Sequence, residues 1–96
     1  MSLFVVRHRH TPERCPAGNP EAASFLLSHL SPGNAGKHGI TLHSEAVIDG
    51  GHTLYVIAEA ASRAAVESYM QPFAQAGEVE IQQASHCEQV VERKSC

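Results

Sequence analysis

Two histidines and a cysteine near the start of the chain carry the most suggestive chemistry in the sequence. His8 and His10 follow a short apolar run, and Cys15 comes after them, beyond a proline. Residues two apart in a strand point to the same side, so the two imidazoles can converge on one point. Imidazole nitrogen and thiolate sulfur suit Zn, Cu, Ni or ferrous iron. The pattern therefore predicts a transition-metal site at the end of the first strand.

Two other interpretations fit the same residues. His8 and His10 could cap an apolar face at the sheet edge, hydrogen-bonded to the backbone or to a carboxylate such as Glu13. Alternatively, Cys15 precedes a helix start at Asn19, where the positive end of the helix dipole favours a thiolate. With His10 as a neighbouring base, that arrangement would make a thiol-based enzyme or sensor, although no third group that orients the histidine is identifiable.

The rest of the chain alternates between strand-like and helix-like patterns. Asn19-Pro20 is a helix start, period-two alternation begins at Ile40, and Asp49-Gly50-Gly51 is a hairpin signal. The predicted elements, in chain order, are a strand through Val6 and His8, a helix from Pro20, a strand from Ile40, a strand from His52 to Ala60, a helix from Ser62 to about Met70, where Pro72 interrupts it, and a strand from Glu78. Residues 84–93 are interpreted as a continuation of the last strand or as an arm.

This order is two copies of a strand–helix–strand unit, which predicts an α+β fold of the ferredoxin-like βαββαβ type. The sheet would be four-stranded and antiparallel, in the order 4-1-3-2, with both helices on one face. In that order, His52 at the start of the third strand lies beside the end of the first. The predicted metal ligands are therefore His8, His10, Cys15 and His52. The apolar uncovered face favours stacking on a second copy, as a dimeric α/β barrel.

In this element order, the segments SLFVVRH, GHTLYVIAEA and ESYMQPFAQAGEVEI resemble small bacterial proteins of the dimeric α/β barrel superfamily. The resemblance covers residues 3–93 and implies a ferredoxin-like homodimer. That superfamily includes heme-processing enzymes, cofactor-free monooxygenases, isomerases, metal-binding proteins and ligand sensors. It therefore implies a rival function, a small-molecule enzyme with a histidine inside a barrel lined by residues such as Tyr55, Ile57 and Glu59. No motif assigns catalytic residues.

A second histidine–cysteine pair lies near the other end of the chain. Within a last strand, His86 and Cys87 would point to opposite faces, at the sheet edge far from His8. Free cysteine is among the most buried side chains, so we expect Cys87 to be a small apolar core residue. The role of the pair stays open.

Composition narrows the class of protein. The 96 residues, 43% of them hydrophobic, have no compositional break, which indicates a single domain over residues 1–96 with a frayed tail at 94–96. A net charge of −3 without a basic stripe argues against nucleic-acid binding. The run Leu3–Val6 is too short for a signal peptide or a membrane span. We expect a cytoplasmic protein with free thiols, whose partners are a second copy and, in the enzyme alternative, a small-molecule ligand.

Overall fold

A four-stranded antiparallel sheet and five helices form the protein, whose computed structural model describes residues 1–96. The strands are β1 (Ser2–Arg9), β2 (Thr41–Val47), β3 (Thr53–Ala60) and β4 (Glu78–Ala84). The helices are α1 (Pro20–His29), α2 (Pro32–Lys37), α3 (Arg63–Tyr69), α4 (Gln71–Ala76) and α5 (Cys87–Arg93). Two turns of 3₁₀ helix, Pro12–Arg14 and Pro16–Gly18, connect β1 to α1. The predicted α+β class and antiparallel sheet are confirmed.

Strand β1 lies in the interior of the sheet, whose order is β2-β3-β1-β4. Read from the other edge, this is the order 4-1-3-2 expected from the sequence. All three pairings are antiparallel, and Val6 lies opposite Val56 on β3 and opposite Ile81 on β4. His8 lies opposite Leu54. The last residues of β1 are therefore held by strands on both sides.

One face of the sheet is covered by α1 to α4, and the hydrophobic core lies between them. Its fully buried side chains include Val6, Val56, Val66, Tyr69 and Met70. Burying each large apolar side chain of this kind stabilises the fold by roughly 1.5–3 kcal/mol. The opposite face of β3 carries Tyr55 and Ile57, which are 37% and 38% exposed. In this chain, therefore, β3 is covered on one face only.

Side-chain caps set the helix starts. The side-chain oxygens of Asn19, Ser31 and Ser62 accept hydrogen bonds at 3.1 to 3.3 Å from the backbone N–H groups three residues later, those of Ala22, Asn34 and Ala65 respectively. A cap of this type contributes about 1 kcal/mol. The predicted starts at Asn19 and Ser62 are confirmed. None of the helices combines the length and the hydropathy that a membrane crossing requires.

Pro72 divides the second helical region as the sequence predicts. Helix α3 ends at Tyr69, Met70 is its C-cap, and α4 begins at Gln71 with Pro72 in its first turn. There the missing N–H of proline costs nothing, because the first amides of a helix have no partner within the helix. The chain after Met70 therefore continues as a second short helix, Gln71–Ala76.

Strand β2 contains a bulge that the alternating pattern concealed. Leu42 lies opposite Ala58, but Ser44 lies opposite Ile57, so His43 is the extra residue. One inserted residue reverses the alternation. The prediction that Leu42 and Ser44 share a face is therefore wrong: Leu42 packs against the core, whereas Ser44 lies on the uncovered face.

The interpretation of residues 84–93 as a continuation of the last strand is wrong, because Cys87–Arg93 is the helix α5. His86 has an extended backbone at the N-cap, and its N–H donates to the side chain of Gln89 at 3.3 Å. Glu88 in the first turn and Arg93 in the last turn both suit the helix dipole. These local signals favour a helix over a strand in this segment.

Candidate metal centre

His8 and His10 both point to the helix-covered side of the sheet. His8 is 4% exposed, lies on the same face as the core residue Val6, and meets the ring of Phe73 edge-on at 5.3 Å between centroids. The His10 ring lies 5.4 Å from that of His8 and 5.3 Å from that of His52. The predicted convergence of the two strand imidazoles with His52 is therefore present.

His52 is positioned by the hairpin between β2 and β3. Gly50 takes the left-handed conformation at φ 70°, and His52 itself has φ 48°, an uncommon value for a residue with a side chain. The backbone N–H of His10 donates to the carbonyl of His52 at 3.1 Å, which extends the β1–β3 pairing by one step. Strained backbone of this kind costs about 1–3 kcal/mol and is concentrated at functional sites.

Cys15 is brought to the same place by the two 3₁₀ turns. It lies between them in an extended conformation, φ −63° and ψ 122°, because the following Pro16 disfavours a helical backbone at that position. Its thiol is free and partly buried. A nitrogen atom of His10, the sulfur of Cys15 and a nitrogen of His52 all lie within 4.8 Å of one another.

This separation is close to that of a metal site. Bonds of 2.0–2.3 Å to a tetrahedral ion would place such donor atoms roughly 3.3–3.6 Å apart, so the three groups need to approach by about 1 Å. Side-chain rotation is sufficient for a movement of that size. The group formed by His10, Cys15 and His52 can therefore hold a metal ion, and we call it the His–Cys–His group.

The fourth predicted ligand, His8, lies beside this group and is not a member of it. Its Nε2 atom is buried and has no hydrogen-bond partner. His8 is held against Phe73, and its ring is adjacent to His10. The structure thus brings three of the four predicted ligands together and leaves the fourth as an unpartnered neighbour.

The ring nitrogens of His10 are the clearest anomaly of the site. Both are buried, and neither has a hydrogen-bond partner. For His10, the alternative of backbone or carboxylate hydrogen bonds, such as one to Glu13, is therefore not what the structure shows. His8 differs, because the Phe73 backbone interacts with its ring. Buried polar atoms without partners are rare and costly, at about 1–3 kcal/mol each, so these two nitrogens mark His10 as a candidate ligand residue.

Burial and neighbouring imidazoles favour the uncharged forms. Burial lowers the pKa of His8, the His10 imidazole lowers it further, and the Phe73 backbone acts in the opposite direction. Burial also lowers the pKa of His10, with His52 adding to the effect. A neutral imidazole binds a metal without first releasing a proton.

The His–Cys–His group lines a pocket of about 400 Å³. Ten of the 17 lining residues are hydrophobic, and they come from the segment between β1 and α1, from α1, from the β2–β3 hairpin and from α4. His8 and Arg14 also line it, and no aspartate or glutamate does. The sequence offered no sign of this pocket, because its walls come from elements far apart in the chain.

The uncovered face of the sheet holds different chemistry. Arg7 alternates with His8 and donates to Glu80 at 2.7 Å on this face. His43 and His86 both approach the carboxylate of Glu59, at 3.4 and 3.9 Å. A barrel closed over this face would therefore contain Arg7, and not the strand histidines His8 and His10.

The C-terminal cysteine does not behave as expected. Cys87 is exposed at the start of α5, so its prediction as a buried core residue is wrong. The strand argument for Cys87 and His86 no longer applies, because they belong to a helix and its cap. The His86 ring lies 6.0 Å from that of His43.

A separate histidine, His29, forms a network that sequence analysis missed. Its Nε2 donates to the Tyr69 carbonyl at 2.7 Å, and the Asn34 amide lies 3.4 Å from its Nδ1. The Tyr69 hydroxyl and the Asn34 amide both donate to the His29 carbonyl, at 2.9 and 3.0 Å. The His29 ring stacks on that of Tyr69 at 4.6 Å. His29 and Tyr69 are 40 residues apart, so no local sequence pattern connects them.

No protein-family model, curated protein or solved structure matches the chain.

Proposed function

We propose that the protein binds a transition-metal ion through His10, Cys15 and His52. The observation that carries this proposal is the position of three donor atoms within 4.8 Å of one another, where both ring nitrogens of His10 are buried and unpartnered. Metal coordination would give His10 the partner that the protein does not supply. His8, the fourth residue predicted from the sequence, is assigned to the wall beside the centre.

The donor set restricts the metal. Two imidazole nitrogens and one thiolate suit Zn, Cu, Ni or ferrous iron, and do not suit Mg or Ca, which prefer oxygen ligands. Three protein ligands leave one position open to water or to another molecule. In zinc proteins, that arrangement is typical of catalytic sites, whereas four protein ligands are typical of structural ones.

The proposal extends to the assembly. The strand order, with helices on one face, supports a ferredoxin-like domain, and the exposed Tyr55 and Ile57 on its uncovered face support a homodimer closed as an α/β barrel. Three free cysteines support a reducing, cytoplasmic setting. The dimer is tested by comparing the sedimentation coefficients of the wild type and Ile57→Glu, because a buried charge at this position would dissociate a dimer. A monomeric wild type would contradict the assembly and leave the metal proposal intact.

The metal proposal is tested by titrating chelator-treated protein with Co²⁺, whose absorption spectrum reports thiolate coordination. We expect one equivalent to bind, with a thiolate charge-transfer band. Cys15→Ser should lose that band and bind at least about tenfold more weakly, because hydroxyl is a much poorer ligand than thiolate.

Cys87→Ser is the matched control, since Cys87 is exposed on α5, outside the group. It should retain the band and the affinity. Equal uptake by wild type and Cys15→Ser, or a band that depends on Cys87, would overturn the proposal. Elemental analysis of untreated protein then identifies the native metal.

A further inference from the structure

The pocket beside the His–Cys–His group has the size and lining of a small-molecule site. Its volume, about 400 Å³, lies at the lower end of the range for ligand pockets, about 300–1,000 Å³. The walls away from the group include Ala22, Leu26 and Phe73. Such a lining favours a ligand with a compact apolar body.

The polar groups of the pocket are gathered at one end and carry no acidic side chain. His10, Cys15 and His52 converge there, and His8, whose buried Nε2 has no hydrogen-bond partner, also lines the pocket. Arg14 contributes a permanent positive charge at the surface. With a divalent ion and one thiolate in place, the net charge of this end is positive, which favours an anionic head group.

We infer that the pocket binds a small apolar monocarboxylate, whose carboxylate occupies the open position of the metal and reaches His8 and Arg14. This inference rests on the proposed metal centre. A carboxylate oxygen can coordinate the ion, the second oxygen can accept a hydrogen bond from an imidazole N–H, and Arg14 adds attraction from the rim. The apolar body then lies against Ala22 and Leu26 of α1.

The rim of the pocket is consistent with entry of an apolar molecule. Phe25, Val47 and Ile48 line it and are 43%, 53% and 50% exposed, an unusual concentration of large apolar side chains at a surface. They come from α1 and from the β2–β3 hairpin. The apolar body of a ligand can therefore be desolvated at the rim before the head group reaches the metal.

The test uses benzoate as the probe with Co²⁺-loaded full-length protein. Benzamide, a neutral molecule of the same shape, and acetate, a head group without a body, serve as comparisons. We expect benzoate to shift the Co²⁺ spectrum and to bind at least about tenfold more tightly than either comparison, because only benzoate makes both contacts. Metal-free protein should bind benzoate at least about tenfold more weakly.

Two variants locate the binding in the pocket. Ala22→Phe fills the cavity and should abolish benzoate binding while Co²⁺ affinity is kept; Ala64→Phe, at an exposed position of α3 that does not line the pocket, is its control. Arg14→Gln should weaken benzoate about two- to fivefold, as expected for an exposed charge contact, whereas Arg93→Gln should not.

The outcomes separate this inference from the metal proposal. If Co²⁺ binds and benzoate does not, or if benzamide binds equally well, the inference is overturned and the metal centre stands. If Co²⁺ does not bind, the metal centre falls, and the inference falls with it even where benzoate binds the metal-free protein. Unchanged benzoate binding in Ala22→Phe would place the ligand elsewhere and overturn the inference.

Discussion

His29 and His10 are both partly buried among aromatic rings, yet the fold treats their ring nitrogens in opposite ways. His29 has a partner for each nitrogen: the Tyr69 carbonyl accepts from Nε2, and the Asn34 amide donates to Nδ1. His10 has none for either. A folded protein usually satisfies a structural histidine internally, so His29 fits a stabilising role, whereas His10 fits the metal-ligand role proposed for it.

The hydrogen bonds of His29 also favour one tautomer. A carbonyl can only accept, so Nε2 carries the hydrogen, and the Asn34 amide, which also donates to the His29 carbonyl, presents a donor to Nδ1. No hydrogen bond fixes the tautomer of His10, so either of its ring nitrogens can bind a metal ion.

The largest difference between His29 and His10 should appear when each is substituted and the stability of the metal-free protein is measured. His29→Leu keeps the volume but leaves the Tyr69 carbonyl without its ring donor and loses the stacking on Tyr69, so we expect the free energy of unfolding to fall by about 2–4 kcal/mol. His10→Leu removes two unpartnered nitrogens and should leave stability unchanged or raise it by about 1 kcal/mol. Urea denaturation in the presence of a chelator measures both.

Equal destabilisation by the two substitutions would contradict the comparison. It would mean that His10 is held by interactions with the protein that are as strong as those of His29. A structural role for His10 would then be the simpler explanation of its burial.

A bound metal ion should stabilise the fold through the His–Cys–His group only. At a free metal concentration one hundred times the dissociation constant, linkage predicts about 2.7 kcal/mol of added stability. His52→Ala should lose this increment because it removes a ligand. His43→Ala, on the uncovered face of the sheet, should keep it. Thermal melts with and without Zn²⁺ measure the increment, and its persistence in His52→Ala would exclude that residue as a ligand.

The site was predictable to the extent that it follows from periodicity and strand order. The period of two placed His8 and His10 on one side, and antiparallel pairing brought the start of β3 beside the end of β1, which accounts for His52. The closure of Phe73 over His8 was not predictable, because it depends on how α4 is seated after Pro72. Strand geometry gives the direction of a side chain, and it does not give the neighbour that the side chain meets.

The failures elsewhere have equally local causes. The bulge at His43 reversed the faces of β2, and a single inserted residue leaves almost no trace in a composition pattern. The helix α5 was missed because Val90 and Val91 suit a strand as well as a helix in so short a segment. The His29 network joins residues 40 positions apart through backbone carbonyls, which no side-chain pattern reports.

A glycine at the end of α4 supports the position of His10. A Cβ atom added to Gly77 would lie 2.1 Å from the carbonyl oxygen of Arg9 and 3.1 Å from the Cα of His10. Gly77→Ala must therefore displace the end of β1, and we expect a loss of about 1–3 kcal/mol in stability. Co²⁺ affinity should fall with it, since the displaced segment carries a ligand.

Gly33 is the matched control, because it lies within α2 and has open space around it. Gly33→Ala should leave Co²⁺ affinity unchanged and should stabilise the protein by up to about 1 kcal/mol, through the better helix propensity of alanine. A Gly77→Ala variant with wild-type stability and affinity would show that the end of β1 is free to move, and that the site does not depend on its position.

The smallest effect concerns the hydroxyl of Tyr69, which completes the His29 network. Burial raises the pKa of Tyr69 above its usual value of about 10. Above that pH the unfolded chain loses the phenolic proton first, so this contribution to stability is complete below pH 10 and is lost as the pH rises towards the folded pKa. Tyr69→Phe should remove that alkaline loss. At neutral pH it should cost only about 1 kcal/mol, because the His29 carbonyl keeps its bond from Asn34. Tyr55→Phe, at an exposed position, is the control and should change neither the neutral-pH stability nor the alkaline loss. Urea denaturation at neutral and alkaline pH measures both quantities. If Tyr55→Phe removes the alkaline loss and Tyr69→Phe does not, the prediction for Tyr69 is wrong.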